Sequence, residues 1–207
     1  MAKTTRKDLL KAPDDFITTA GSTVQWIKEN PARFATLVAI VVVVFAVGIG
    51  FLSWKTGREH SAMDALNRAG TESQSITSVV ENFADTRAGK LARLRLAGMA
   101  YAGENHEAAI QNAQEFINDW GRKDTFHWQG ILILAAAHLD RQEPEKVLQL
   151  LGDAVESSPP AYRDQALFYQ ARALVALGRH TEARDALDRI SDNYREIALP
   201  ALASIEN

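Results

Sequence analysis

The chain has 207 residues, with 23 Lys/Arg against 26 Asp/Glu, a formal net charge of −3 and no cysteine. Without cysteine there can be no disulfide framework, thiolate metal site or cysteine nucleophile. Residues 55–207 carry 17 basic and 22 acidic side chains, a net of −5 with no basic run. That balance argues against nucleic-acid binding, which needs clustered positive charge.

Residues 1–33 read as a charged arm with one short amphipathic helix. Pro13-Asp14-Asp15 resembles a helix start, with carboxylates at the positive end of the dipole. Phe16, Ile17, Ala20, Val24 and Ile27 then fall on one face, and Asn30-Pro31 ends the run. The polar face is not rich in lysine, so attraction to lipid is weak. The helix serves as an amphipathic approach to a membrane anchor or as a docking element.

Between Arg33 and Lys55 lie 21 residues without a charge, Phe34 to Trp54. As a helix they cover roughly 30 Å, the thickness of a bilayer's hydrocarbon core. The run is apolar on every side, and Trp54 stands where an interfacial aromatic belt would place it. A cleavable signal peptide fits poorly. A long arm containing Asp8, Asp14, Asp15 and Glu29 precedes the run, and no Ala-x-Ala site precedes Lys55. The segment 34–54 is therefore expected to be an uncleaved transmembrane signal anchor. Lys3, Arg6, Lys7, Lys11, Lys28 and Arg33 make the arm the more basic flank, against Lys55 and Arg58 beyond the span. The arm is expected in the cytoplasm and residues 55–207 on the far side.

Residues 55–87 form a juxtamembrane helical segment. Ala62, Ala65, Leu66 and Ala69 make one apolar face, and Ile76, Val79, Val80, Phe83 and Ala84 another. Gly70 with Thr71, and Gln74 three residues on, suggest a helix stop and a capping box; one continuous helix is the alternative. The segment is expected to cap the domain C-terminal to it.

Residues 88–207 contain an internal repeat. Ala97, Ala135 and Ala171 are 38 and 36 residues apart, and Ala109, Val147 and Ala183 repeat both intervals. Each unit reads as two amphipathic helices joined by a polar turn: Gly103-Glu104-Asn105, Arg141-Gln142-Glu143-Pro144, and Leu177-Gly178-Arg179. Small residues at the recurring positions permit close approach of the paired helices. One hairpin cannot bury its apolar face alone, so neighbours stack into a solenoid. The pattern resembles the tetratricopeptide repeat, with Ile131 and Leu167 in place of its early Trp and Ala100, His138 and Leu174 at its usual Tyr position. The fold class is thus all-α: a single transmembrane helix followed by a tetratricopeptide-like α-α hairpin solenoid of three hairpins. Asn193–Ile205, interrupted at Pro200, is expected to add a terminal helix.

No catalytic constellation stands out. His60, His106, His127, His138 and His180 form no His-x-x-x-His pair, and neither a phosphate loop nor Gly-x-Ser-x-Gly occurs. His106 and His180 share a position at the turn between paired helices and are expected to pack there. Glu107, Glu145 and Glu182 read as a solvated face. No cofactor or metal is expected. Projecting the repeat puts Leu94, Tyr101, Leu132, Leu139, Phe168, Arg172 and Val175 on the concave surface. Such a set either binds a partner or lies beneath a terminal helix.

A charged arm, an uncleaved span, Glu81-Asn82-Phe83-Ala84 and then Leu91-Ala92-Arg93-Leu94-Arg95-Leu96-Ala97 opening degenerate hairpins together resemble the bacterial YfgM-like ancillary subunits of the Sec translocon. The resemblance covers most of residues 25–207. It implies a non-enzymatic protein of the inner membrane. Its periplasmic domain would associate with the translocon and with a membrane-anchored chaperone of the peptidyl-prolyl isomerase type, or with exported clients. The competing reading is a membrane-tethered repeat adaptor for cell-envelope assembly, with the same fold and different partners.

Overall fold

The computed structural model describes residues 24–121 and 123–196, and all of its regular elements are helical. The chain divides into two compact units between Thr56 and Gly57. In the first, residues 24–29 are helical, and Trp26 and Val24 are exposed. The expected helix start at Pro13 lies outside the described residues. Helix α1, Pro31–Ala69, is 39 residues long and runs through the unit boundary. Its stretch 34–54 is exposed throughout, and it is long and apolar enough to cross a membrane.

In the second unit, Ala62, Leu66 and Ala69 at the end of α1 bury against Ile76 and Val79 of α2 (Ser73–Phe83) and Ala88 and Ala92 of α3 (Arg87–Ala102). Residues 57–87 thus share a core with the first repeat helix. Gly70, at φ 55°, provides the expected stop, since this left-handed conformation is cheap only for glycine. The cap of α2 differs from expectation. Its N-cap is Glu72 rather than Thr71, and the Ser75 hydroxyl donates to the Glu72 carboxylate at 2.6 Å. Ala84, expected on the apolar face, is exposed because α2 has already ended at Phe83.

The corner between α2 and α3 is held from both sides. Thr86 accepts from Gly89 N–H at 3.0 Å and donates to the Phe83 carbonyl at 2.7 Å. A Cβ on Gly89 would lie 2.0 Å from that same carbonyl oxygen, so only glycine fits. Arg58 donates to the Asn82 carbonyl at 2.8 Å, where α2 is ending, and the Glu59 carboxylate accepts from Arg87 N–H at 3.0 Å, where α3 begins. Both charges match the sign of the helix dipole they face.

Three hairpins complete the unit. The first pairs α3 with α4 (His106–Trp120). The second pairs α5 (Thr125–Asp140) with α6 (Pro144–Leu151), which continues into a 3₁₀ turn at Asp153–Ser157. The third pairs α7 (Pro160–Ala176) with α8 (His180–Asp188). All six recurring small residues, Ala97, Ala135, Ala171, Ala109, Val147 and Ala183, are buried. Gly130 extends the same logic, because a Cβ there would meet the Phe116 ring at 2.9 Å.

The three turns have one hydrogen-bond pattern. Asn105, Glu143 and Arg179 donate from their backbone N–H to the carbonyls of Ala100, His138 and Leu174. Glu104, Gln142 and Gly178 donate to Tyr101, Leu139 and Val175. These middle residues are all left-handed, at φ 58°, 60° and 73°, although two of them carry side chains. The second turn is further tied by buried His138, whose Nδ1 lies 2.6 Å from the Glu143 carboxylate. His138 and then Lys146 hold the Glu143 carboxyl below the usual glutamate range.

Glu107, Glu145 and Glu182 are exposed, and Glu182 pairs with Arg179 at 2.6 Å. The shared packing role expected of His106 and His180 holds only in part. His106 is partly buried beside Tyr101, with ring centroids 6.0 Å apart, but His180 is exposed at the start of the last hairpin's outer helix. Residues 192–196 open a further helix, and the remainder of the expected terminal helix lies outside the described residues.

Ala183→Trp forces bulk into a buried helix seam and is expected to cost about 1–3 kcal/mol or more. Glu182→Ala removes an exposed pair and should stay within about 0.5 kcal/mol. Equal melting temperatures for the two variants would contradict the register.

Candidate partner-binding surface

The residues projected onto a concave surface lie on α3, α5 and α7, the first helices of the hairpins, and fall into two tiers. Leu94, Leu132 and Phe168, at 38- and 36-residue spacing, are 7 %, 5 % and 8 % exposed and belong to the core. Tyr101, Leu139 and Val175, at the same spacing and seven residues further along each helix, are partly buried beside the turns. Arg172 is partly buried with its guanidinium 6.0 Å from the Phe168 ring centroid, and among the described residues it forms no ion pair.

An open groove of about 260 Å³ lies across the three helices. Leu132, Ile133 and Ala136 of α5 give it an apolar floor, Tyr101 of α3 forms one wall, and Tyr162, Gln165 and Tyr169 of α7 form the other, with Gln129 at the α5 end. Of the seven projected residues, the groove brings together only Tyr101 and Leu132. The Gln165 amide donates to the Tyr169 hydroxyl at 2.9 Å, and the Gln129 amide to the Tyr162 hydroxyl at 3.4 Å. These amides and phenols can donate to and accept from a peptide backbone without presenting a net charge.

Three of the chain's four tyrosines, Tyr101, Tyr162 and Tyr169, line the groove. Burial, then a hydrogen bond with Asp140, pushes the Tyr101 phenol up to about 12, and Tyr169 and Arg172 lie within electrostatic reach of it. Tyr194, in the helical turn after α8, packs its ring 6.3 Å from that of Phe168. Burial, then the neighbouring Tyr169 and Asp164, pushes its phenol up to about 12 as well.

Sequence reasoning missed Gln129, Tyr162, Gln165 and Tyr169. The available signals were the 36-residue spacing of Gln129 and Gln165 and the one-heptad spacing of Tyr162 and Tyr169. Among the described residues no cluster of three or more His, Asp or Glu side chains could hold a metal ion.

Comparison with known families supports the class of fold. A model of the tetratricopeptide repeat matches residues 165–196, from the middle of α7 through α8 to the helical turn that carries Tyr194. No curated protein and no solved structure matches the chain. The chain is an all-α protein whose folded domain is a tetratricopeptide-like helical solenoid, a class that mediates protein–protein contacts.

The raised phenols are checkable by spectrophotometric titration. The neutral phenol is favoured in the fold, so this contribution is complete below about pH 10, the ordinary tyrosine value, and is lost as pH rises towards 12. Two late ionisations are expected, one vanishing in Tyr101→Phe and the other in Tyr194→Phe. A titration without a late step contradicts the packing. Because Phe168 is core, Phe168→Ala should cost about 3–5 kcal/mol of stability, read by denaturant unfolding.

Proposed function

We propose that this chain is a non-enzymatic scaffold or co-chaperone of the bacterial inner membrane, associated with the Sec translocon, whose repeat domain binds a membrane-anchored chaperone or exported clients. The observation that carries the binding role is the groove bounded by Tyr101, Tyr162 and Tyr169. Its apolar floor and uncharged hydrogen-bonding walls suit an extended polypeptide rather than a small charged substrate. Tyrosine supplies large contact area at little entropic cost, which is why it concentrates in protein interfaces. The membrane assignment rests on α1, and the translocon and chaperone partners rest on the family resemblance of residues 25–207. In this reading residues 1–33 form the cytoplasmic arm, 34–54 the span, 55–87 the juxtamembrane segment and 88–207 the periplasmic repeat domain. Leu94, Tyr101, Leu132, Leu139, Phe168, Arg172 and Val175 line or support the inner face that takes the partner.

Affinity purification from detergent-solubilised membranes tests the partner: translocon subunits and the chaperone should co-purify. Recovery of cell-wall or outer-membrane assembly proteins in their place would favour the envelope-adaptor reading. Tyr162→Ala, at the groove wall, should weaken chaperone or client binding by about 2 kcal/mol, roughly thirtyfold, measured below the variant's own melting transition because the Tyr162 ring also packs against the core. For orientation, a cysteine replacing Ser191 should react with an impermeant maleimide once the outer barrier is opened, whereas one replacing Thr4 should not.

A further inference from the structure

Tyr162 and Tyr169 stand seven residues apart on α7, close to two helical turns, so the two positions share one side of the helix about 10.5 Å apart along its axis. A polyproline II strand repeats every three residues at about 3.1 Å each, a turn of about 9.3 Å. Laid along this wall, it brings equivalent residues to the two phenols in succession. A β-strand repeats at about 6.6 Å and falls out of step with them. With Tyr101 on the opposite wall, the groove is lined by three aromatic side chains, the kind of surface on which pyrrolidine rings pack.

The hydrogen bonds on the walls favour the same occupant. Tyr162 accepts from the Gln129 amide and Tyr169 from the Gln165 amide, and among the described residues no acceptor takes either phenol's own O–H. Each amide keeps a second N–H as well. The walls therefore offer two O–H and two N–H donors against the two amide oxygens. A segment whose carbonyls outnumber its N–H groups complements that excess, and proline makes a backbone of this kind because it keeps its C=O and lacks an N–H. Charge agrees with this. The lining carries no formal charge, so a charged side chain buried against it would find no counter-ion there. We infer that the groove binds an uncharged, proline-rich segment of a partner in the polyproline II conformation, with prolines three residues apart seated on Tyr162 and Tyr169. This rests on the reading of the groove as a partner-binding site and adds the chemistry of the segment it takes.

Blocked nine-residue peptides, titrated calorimetrically into the full chain in detergent, test this. Acetyl-nonaproline-amide should bind at least about tenfold more tightly than a neutral peptide of the same length built from Ala and Gln. Spacing is tested at fixed composition: three prolines among six alanines should bind more tightly at i, i+3, i+6 than at i, i+4, i+8. Tyr162→Phe and Tyr169→Phe keep the ring and remove the O–H donor, and each should weaken nonaproline binding roughly fivefold. Should either variant lose its helical circular dichroism, Gln129→Ala, at an exposed position, serves in its place and should weaken binding by a similar factor. Equal affinities within either peptide pair, or no binding of nonaproline, overturn the inference. Nonaproline binding that none of these variants alters also overturns it, since the site then lies elsewhere. So does affinity that falls as protein concentration rises, because a second copy would then occupy the groove. Co-purification judges the underlying partner reading separately, and that reading survives if the recovered partners supply a segment without proline.

Discussion

The fold depends on how closely two helices can approach within each hairpin. Ala97, Ala135 and Ala171 on the inner helices, with Ala109, Val147 and Ala183 on the outer ones, are buried in those seams. Dispersion falls steeply with distance, so a close seam gains contact from backbone as well as side chain. The large side chains then fill the flanks: Phe116, Leu134, Leu151 and Leu167 are all fully buried. Each hairpin presents its inner helix at a fixed offset from the last, and the groove is a product of that offset rather than of any one element. Gly130 makes the dependence plain, because even one methyl group there would push against Phe116.

Most of this architecture was legible in the sequence, because a period of 36–38 residues in small side chains has few other physical explanations. The turns were less so. Left-handed backbone usually announces itself as glycine, and Gly178 does so, but Glu104 and Gln142 hold the same conformation with side chains attached. A non-glycine residue there is strained by about 1–2 kcal/mol. The strain persists because each turn places two backbone N–H groups on helix-terminal carbonyls, and in the second turn His138 grips Glu143 as well. The cap of α2 was hidden for a related reason. Thr71 and Gln74 have the right spacing, but the helix begins at Ser73 with Glu72 as its N-cap, which puts Gln74 at the second helical position instead of the third.

The candidate site was half legible. Projection of the repeat found the inner helices and their buried ridge, and it identified Tyr101 and Leu132 at the groove itself. It chose the face of α7 bearing Phe168 and Val175, while the groove is walled by Tyr162, Gln165 and Tyr169, about a third of a turn away. A rotation of that size cannot be resolved from apolar periodicity on α7, whose hydrophobic residues surround the helix because it is packed on several sides. What distinguishes the two faces is their polar chemistry. Phenols paired with amides mark the side that meets water or a partner, and an unadorned aromatic marks the side that does not.

The outer helices of the second and third hairpins, 8 residues in α6 and 9 in α8, are shorter than the 15-residue α4. In a stack where each layer is stabilised only by its neighbours, such a difference in length makes the layers unequal in cooperativity. The layer nearest α1 is sheathed on both sides and holds Phe116 and Trp120, whereas the last layer relies on one short outer helix. Amide exchange should therefore spread inward from the α7–α8 end by subglobal opening. The Tyr162–Tyr169 wall of the groove belongs to that softer end and the Tyr101 wall to the firmer one, so the two walls differ in compliance as well as in composition.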